Sequence, residues 1–597
     1  MIAFAFADHT EHNRAPNTLV FDPIAVPIPP HGTRRTCLTT QMPIFFAPLH
    51  AMLNVRRISR CACDKLPPKA GLNHRGPCPS TLNNNTAAQK AGVTYSQRER
   101  KYKLSNTNRR EFLEAAAISA LGAPALAAQT TRDKKMIGIQ IGAVSFVDEG
   151  VEPVLDILQN KGRVNALFIA AFTYGRGIAG RQVPGQPLPD HGKQEYDTAT
   201  FRGGSYAAVH PQYYKNTPLK DFRAPDLGSF DVFQAVLPAS RKRGMKNIAW
   251  FEDVFRNDIT GVKECEEKDL HGRNATTLCF NNPGYHNFLL DLCEDYAKSW
   301  DLDGIMWGSE RQGAFSNALG AAAGGRRKDP GTVTCFCQYC QKKGKDRGID
   351  FGRVQEGFGE LEKFVRAARE HKRPVDGYYV TLWRLMLRYP ELLAWENLWH
   401  DSLRDTYAAM HAKVKSIKPD MGIGWHIWHT NSFSPIYRAE QDLQKIAPVS
   451  DFLKIVMYDN VAGERLATYI DSVGETEYGD VPAEDLLRFH YDVLNYKDEG
   501  THDKIPLTGL SSDYVLRETK RAKEGLAGTK TQLWPGIDLD VPTEKSHSKS
   551  KPEGVRDAVL AAFRGGADGV ILSRKYSEMK LANLAGAGDA VKQLGIG

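Results

Sequence analysis

Carboxylates, histidines and aromatic residues recur where apolar runs of this chain end. The ends read Glu252-Asp253, Glu310-Arg311, His426/Trp428/His429, Tyr458-Asp459-Asn460, Asp538/Asp540 and Arg574/Tyr576. An apolar stem that ends in a carboxylate costs stability unless the carboxylate is paired or faces a cleft. One such end is commonplace. Four of them, on separate runs, point to a shared cleft, with salt-bridged rim residues as the competing structural explanation. Carboxylates beside Trp and Tyr suit carbohydrate, because aromatic faces stack on sugar rings and carboxylates bind hydroxyls. Breaking a glycosidic bond needs one carboxylic acid to protonate the leaving oxygen and a second carboxylate as nucleophile or as base for water. The two must differ in pKa, which a Trp-rich pocket can arrange.

On this reading Glu310 is the general acid/base, against a simple Glu310–Arg311 rim pair. Asp538 is the nucleophile or base. Asp540 is its alternative, since side chains two apart on a strand share a face, and Asp459 competes for the role. Glu252 binds a sugar hydroxyl or tunes Glu310 by like-charge repulsion. His426 binds a hydroxyl, although a lone His is more often a hydrogen-bonded core residue. Trp428, Trp307 and Trp534 are stacking platforms or core aromatics, and Tyr458, Arg574 and Tyr576 line the pocket. The "HPQYY" segment, 210–214, is expected to form a lid or subsite wall.

A second pattern is "CFCQYC", which puts Cys335, Cys337 and Cys340 within six residues. That density favours metal over a disulfide. Three thiolates need a fourth ligand for tetrahedral zinc. Cys279 is the expected fourth, with Cys265 and Cys293 as alternatives. Such a site is structural, and no organic cofactor is expected.

The elements that must position these residues are strand-like runs at 136–146, 164–175, 246–255, 301–311, 421–431, 451–460, 531–542 and 567–578, separated by amphipathic segments. Near-continuous apolar strands suit a parallel sheet buried on both faces. Eight such units predict an α/β fold, a (β/α)₈ TIM barrel with long βα loop insertions, whose chemistry sits at the strands' carboxyl ends. An open doubly wound sheet is the alternative, but "IGAVSFVDEG" lacks the Gly-rich phosphate turn.

The bulk numbers exclude several classes. The chain has 597 residues, 42% hydrophobic and 25% charged, which is globular composition. Its net charge of +8 resides in the leader: residues 1–128 hold 16 Lys+Arg and 7 Asp+Glu, leaving the other 469 residues at −1. Bulk charge therefore argues for no nucleic-acid partner. The longest apolar run, within 112–128, is too short to span a bilayer, so no stable membrane insertion is expected. Residues 1–103 have no sustained period and are read as disordered or as upstream sequence, and 129–597 as the barrel.

Three resemblances follow. "LSNTNRREFLEAAAISALGAPALAAQ", residues 104–129, resembles a twin-arginine export signal, with Arg109-Arg110, an apolar stretch and Ala125-Leu126-Ala127 in order. It implies the twin-arginine translocase as a partner and a periplasmic or secreted protein. "DGIMWGSE" (303–310) and "VMYD" (456–459) resemble the fourth- and sixth-strand signatures of glycoside hydrolase family 18, which would make Glu310 the acid and let Asp459 orient substrate. That family has Asp where this chain has Gly308, which disfavours substrate-assisted chemistry. The "CFCQYC" loop resembles the zinc cluster of family 42 β-galactosidases. The expectation is an exported glycoside hydrolase acting on an oligo- or polysaccharide. A metal-dependent sugar isomerase or epimerase, with Glu252, His426, Asp459 and Asp538 around a divalent cation, and a non-catalytic carbohydrate-binding barrel are the alternatives.

Overall fold

All eight apolar runs become strands, and they close into a ring. The computed structural model describes residues 134–597 apart from 175–178, 199–202, 254–257, 322–328, 498, 544–549 and 597. The leader and the export-signal motif lie outside the described residues. The barrel strands are β1 (Met136–Gly142), β2 (Ala166–Tyr174), β3 (Lys246–Phe251), β4 (Gly304–Trp307), β5 (Gly422–Ile427), β6 (Phe452–Ile455), β7 in two pieces (Gln532–Leu533 and Gly536–Asp538) and β8 (Gly569–Ser573). Neighbours along this order pair in parallel, and β8 pairs with β1, Met136 opposite Gly569. The last seam is β7 itself. Its first piece pairs with β6 and its second with β8, with Trp534-Pro535 between them. Proline has no N–H to give the ladder, so the strand breaks there. The ladder then resumes with the Ile571 N–H donating to the Pro535 carbonyl at 2.9 Å.

Strand alternation splits the core in two. Odd-numbered residues such as Ile139, Phe251, Ile305, Trp307, Trp425, Leu453 and Ile537 face outward and pack with the helices. On most strands the even-numbered residues face inward, and on β8 the odd-numbered Ile571 does: Phe168, Trp250, Met306, Phe452, Trp534 and Ile571 fill the barrel as a separate cluster. The helices that follow the strands cover the outward layer. Pro283–Ser299, between β3 and β4, starts with Asn282 accepting from the Gly284 N–H at 2.8 Å and with Pro283 in the first turn. It buries Tyr285, Phe288, Leu289, Leu292, Cys293 and Tyr296, a helical stripe.

The connection from β4 to β5 is the large elaboration. It contains helices Ala314–Leu319, Gln338–Asp346, Phe351–Arg369, Tyr378–Arg388 and Glu391–Ile417. The helical region expected as one piece from about 379 to 418 is interrupted at Tyr389-Pro390, where a proline ends one helix and begins the next. These helices enclose a second apolar core of their own, including Phe315, Phe336, Val354, Phe358, Leu361 and Trp395. Among the described residues no helix is long and apolar enough to cross a membrane.

Candidate active site

The inward face of each strand, followed to its carboxyl end, leads to the mouth of the barrel. The even-numbered series runs through Gln140 on β1, Glu252 just past β3, Glu310 past β4, His426 and Trp428 on and after β5, Lys454 and Tyr458 on and after β6, and Asp538 on β7. Gln140, Lys454, Tyr458, His426 and Glu310 form a connected chain of hydrogen bonds. Lys454, fully buried, donates to Gln140 Oε1 at 2.8 Å, to Tyr458 OH at 3.0 Å and to His426 Nδ1 at 3.2 Å. With Nδ1 accepting, the proton of the neutral imidazole sits on Nε2, which is 3.0 Å from Glu310 Oε1. Burial, and then the Lys454 charge, lowers His426 to about 4, so the ring is neutral near pH 7.

Gly308 explains the departure from the family 18 pattern. A Cβ there would lie 2.5 Å from the carbonyl oxygen of His426 and 2.7 Å from its Cβ. His426 takes the volume that an Asp side chain would need, so this mouth offers His426 as the group beside Glu310.

The aspartates do different work. Asp538 accepts from the backbone N–H groups of Asn460 (3.3 Å) and Val461 (3.2 Å), in the first turn of the helix Asp459–Gly474. It also hydrogen-bonds the carboxyl of Asp459, whose pKa burial and the Asp538 charge push well up. Like charge between the two carboxyls disfavours ionising both at once. Asp540, in contrast, sits at positive φ and accepts from the Lys580 N–H at 2.8 Å and from Asn583 Nδ2 at 2.9 Å. It ties the strand end to the following helix.

The remaining expected site residues are distributed as follows. Glu252 is buried at the end of β3. Arg574 makes a double contact with Glu578, at 2.9 and 2.6 Å. Tyr576 belongs to a separate cluster, its ring 4.2 Å from that of His191 and its OH 3.3 Å from Glu149. Trp307 faces out of the barrel against Phe251, Phe280 and Tyr407. Trp534 stacks on Phe452 inside the barrel, with ring centroids 4.0 Å apart. His429 is buried between Tyr514 OH and Arg465, both at 2.9 Å. The "HPQYY" segment is pinned, not free to swing: His210 and Tyr214 both bond Asp295 on the helix Pro283–Ser299, at 2.6 and 3.0 Å.

Arg311 does not neutralise Glu310. It pairs with Asp253 (3.0 Å) and Glu267 (3.2 Å) and lies 4.1 Å over the Phe280 ring. Three mouth residues were passed over in the sequence: Gln140, Lys454 and Arg465. Two of them carried a signal. Gln140 in "MIGIQIG" and Lys454 in "DFLKIVMYD" are lone polar residues inside apolar strands, and Lys454 shares the face of Tyr458 by alternation.

The four cysteines Cys279, Cys335, Cys337 and Cys340 come together, buried, with all Sγ atoms within 4.8 Å of one another. Cys279 Sγ is 3.5 Å from both Cys337 Sγ and Cys340 Sγ, and Asn281 Nδ2 donates to Cys340 Sγ at 3.3 Å. Tetrahedral zinc with Zn–S near 2.3 Å requires sulfur–sulfur edges of about 3.8 Å, so the donor set and its spacing fit zinc. Cys265 and Cys293 are buried outside this group. The four residues that a metal-dependent isomerase would need do not converge. Among the described residues the groups of ligand atoms close enough for one ion are this cysteine set and Glu396/His400/Glu440.

No protein-family profile and no curated protein matches the chain. Solved structures do resemble it at low similarity. A β-galactosidase from the haloarchaeon Halorubrum lacusprofundi matches at TM-score 0.43 and 13% identity, over 77% of this chain and 58% of that one. An α-L-fucosidase isoenzyme from Paenibacillus thiaminolyticus matches at 0.40 and 11%, over 78% of this chain, which spans about half (49%) of that enzyme's length. A chitinase from Chromobacterium violaceum matches at 0.34 and 8%, over 76% of this chain and 99% of that one.

Proposed function

We propose that this barrel is a glycoside hydrolase that cleaves a glycosidic bond in an oligo- or polysaccharide with two carboxyl centres, Glu310 and the Asp459–Asp538 pair. The observation that carries the reading is their opposite electrostatic settings on one barrel mouth. His426 Nε2–H points at Glu310 Oε1 from 3.0 Å and favours the carboxylate. Burial, and then the Asp538 charge, push the Asp459 carboxyl well above the usual carboxylate range, which favours its protonated form. One ionised and one protonated carboxyl group is the division of labour that glycoside cleavage needs. Glu310 then serves as nucleophile or as base for water, and the aspartate pair supplies the proton to the leaving oxygen. This exchanges the roles expected from the sequence, because Glu310 receives a hydrogen bond that stabilises its charge while burial favours the protonated form of the aspartate pair. Lys454 fixes the tautomer of His426, and Glu252, Trp428 and Tyr458 line the sugar site.

Two further parts of the proposal rest on sequence motif and on ligand geometry. The Arg109-Arg110 segment supports export by the twin-arginine translocase and a periplasmic or secreted location. Cys279, Cys335, Cys337 and Cys340 would hold a structural zinc ion that staples the β4–β5 elaboration to the segment before the helix Pro283–Ser299. The experiment is a turnover screen of the full chain on aryl glycosides and on plant and bacterial polysaccharides, with Glu310→Gln beside it. Turnover in the parent that falls by roughly 10²–10⁴ in the variant supports the assignment. Sugar binding with no turnover on any substrate identifies a binding barrel instead. Unchanged turnover removes Glu310 from the chemistry.

A further inference from the structure

Several largely buried guanidinium groups among the described residues pair with carboxylates, and Arg465 does not. Arg311 pairs with Asp253 and Glu267, Arg438 with Glu518, Arg574 with Glu578, and Arg181 with Asp148 and Asp197. Arg465 is more buried than any of them, at 8% exposure, and among the described residues it has no carboxylate within ion-pair distance. Its contacts are His429 Nδ1 at 2.9 Å and the faces of Trp428 and Tyr458, at 5.0 and 5.9 Å from the ring centroids. Lys454 lies 5.3 Å from the centroid of the same Tyr458 ring and also has only neutral partners, namely Gln140, His426 and Tyr458. Guanidinium cannot shed its charge at any ordinary pH, and an unpaired buried charge is costly. Burial lowers the pKa of both cations even though Glu310 is close enough to oppose the shift.

We infer that Arg465 and Lys454 form an anion subsite in the barrel mouth, and that the sugar bound there carries a negative group, a carboxylate or a sulfate ester. This rests on the hydrolase reading for the word sugar and on the unpaired cations for the charge. Trp428 and Tyr458, whose ring faces Arg465 covers, hold the guanidinium in the mouth by cation–π contact. A carboxylate or sulfate arriving there replaces the lost hydration of the guanidinium with charge-assisted hydrogen bonds.

The test is calorimetric titration of the full chain with glucuronate, galacturonate and glucose 6-sulfate, each against neutral glucose or galactose, in the parent, Arg465→Met and Arg465→Lys. The expected result is at least about tenfold tighter binding of one acidic sugar than of its neutral parent, the size of one hydrogen bond to a charged group. The uronate and sulfate arms identify which anion it is. Arg465→Met should abolish the preference while the variant still folds and still binds neutral sugar. Arg465→Lys should retain part of the preference. Equal affinity for acidic and neutral sugars in the parent overturns the inference. So does a preference that survives in Arg465→Met, or a folding failure in that variant, which would mark the guanidinium as structural support. Acid preference without turnover on any glycoside would keep the subsite and remove the hydrolase. Turnover of neutral glycosides without acid preference would do the reverse.

Discussion

At the scale of residues the barrel mouth is a problem of where protons sit. Lys454 is fully buried, and burial lowers it from 10.5 to about 7, with the Glu310 and Glu252 charges opposing the shift. The direction fixes a pH dependence. Between about pH 7 and 10.5 the unfolded chain binds a proton that the folded chain does not, so this group makes stability rise with pH across that window. Below pH 7 both forms are protonated and the contribution is flat, at its full cost. Lys454→Met has no such group. Guanidinium melts at pH 7, 8, 9 and 10 should therefore show the parent gaining on the variant by up to about 1 kcal/mol per pH unit. A parallel pair of curves would mean that Lys454 keeps its ordinary pKa and that its buried neighbours stabilise the ammonium. His426 is a different case. It is neutral above about pH 4, so its bond to Glu310 is present across the working range as a neutral donor.

At the scale of elements, strand alternation does most of the positioning. Residues 306, 308 and 310 share the inward face on and after β4, as do 424, 426 and 428 on β5 and 452, 454 and 458 on β6. Inward glycines make room for large neighbours. Gly424 lies where a Cβ would come within 2.4 Å of the Phe452 ring, and Gly308 lies against His426. Gly308→Ala is expected to cost about 1–3 kcal/mol as overpacking. It should also slow turnover, because the clash moves His426 off Glu310. Denaturant melts and steady-state rates on the same preparation check both, and a fully stable, fully active variant would show that His426 can shift without consequence. The helix Asp459–Gly474 shows how an element recruits its own support: its exposed first-turn N–H groups take Asp538 from the neighbouring strand. That contact holds Asp538 in place, which is why the proposed mechanism uses it together with Asp459.

At the scale of the whole molecule two cores are joined. The barrel and its helices form one, and the β4–β5 elaboration forms another around Phe336, Phe358 and Trp395. The cysteine set stands at their junction, since Cys279 precedes the helix Pro283–Ser299 and the other three belong to the elaboration. Protein produced with zinc in the medium should contain one zinc per chain by elemental analysis. Cys340→Ser should lower that content and bring the melting temperature down by several degrees, because a three-thiolate site holds zinc less tightly. Full zinc content in the variant would place the metal elsewhere, and no zinc in the parent would leave four reduced thiols as a packed apolar cluster. Trp395 fastens the same loop by donating from Nε1 to the Cys335 carbonyl at 3.2 Å.

The eight strands, the helices between them and the inward face of each strand were readable in the chain, because apolar periodicity is a local property that burial enforces directly. The three-cysteine loop was readable for the same reason, as spacing within six residues. Partnership was not. Arg311 stands next to Glu310 in sequence, yet it pairs with Asp253 and Glu267 on the far side of the strand end. Asp538 and Asp540 share a face by alternation, yet positive φ at Asp540 turns it to Asn583 while Asp538 serves the helix Asp459–Gly474. Lys454 meets Gln140 across 314 positions of chain, a contact created only when β6 and β1 enter the same closed ring. Local pattern decides which face a side chain occupies. Which charge it meets there is decided by barrel closure, which places eight strand ends around one mouth and, among the described residues, leaves Arg465 in it without a carboxylate at ion-pair distance.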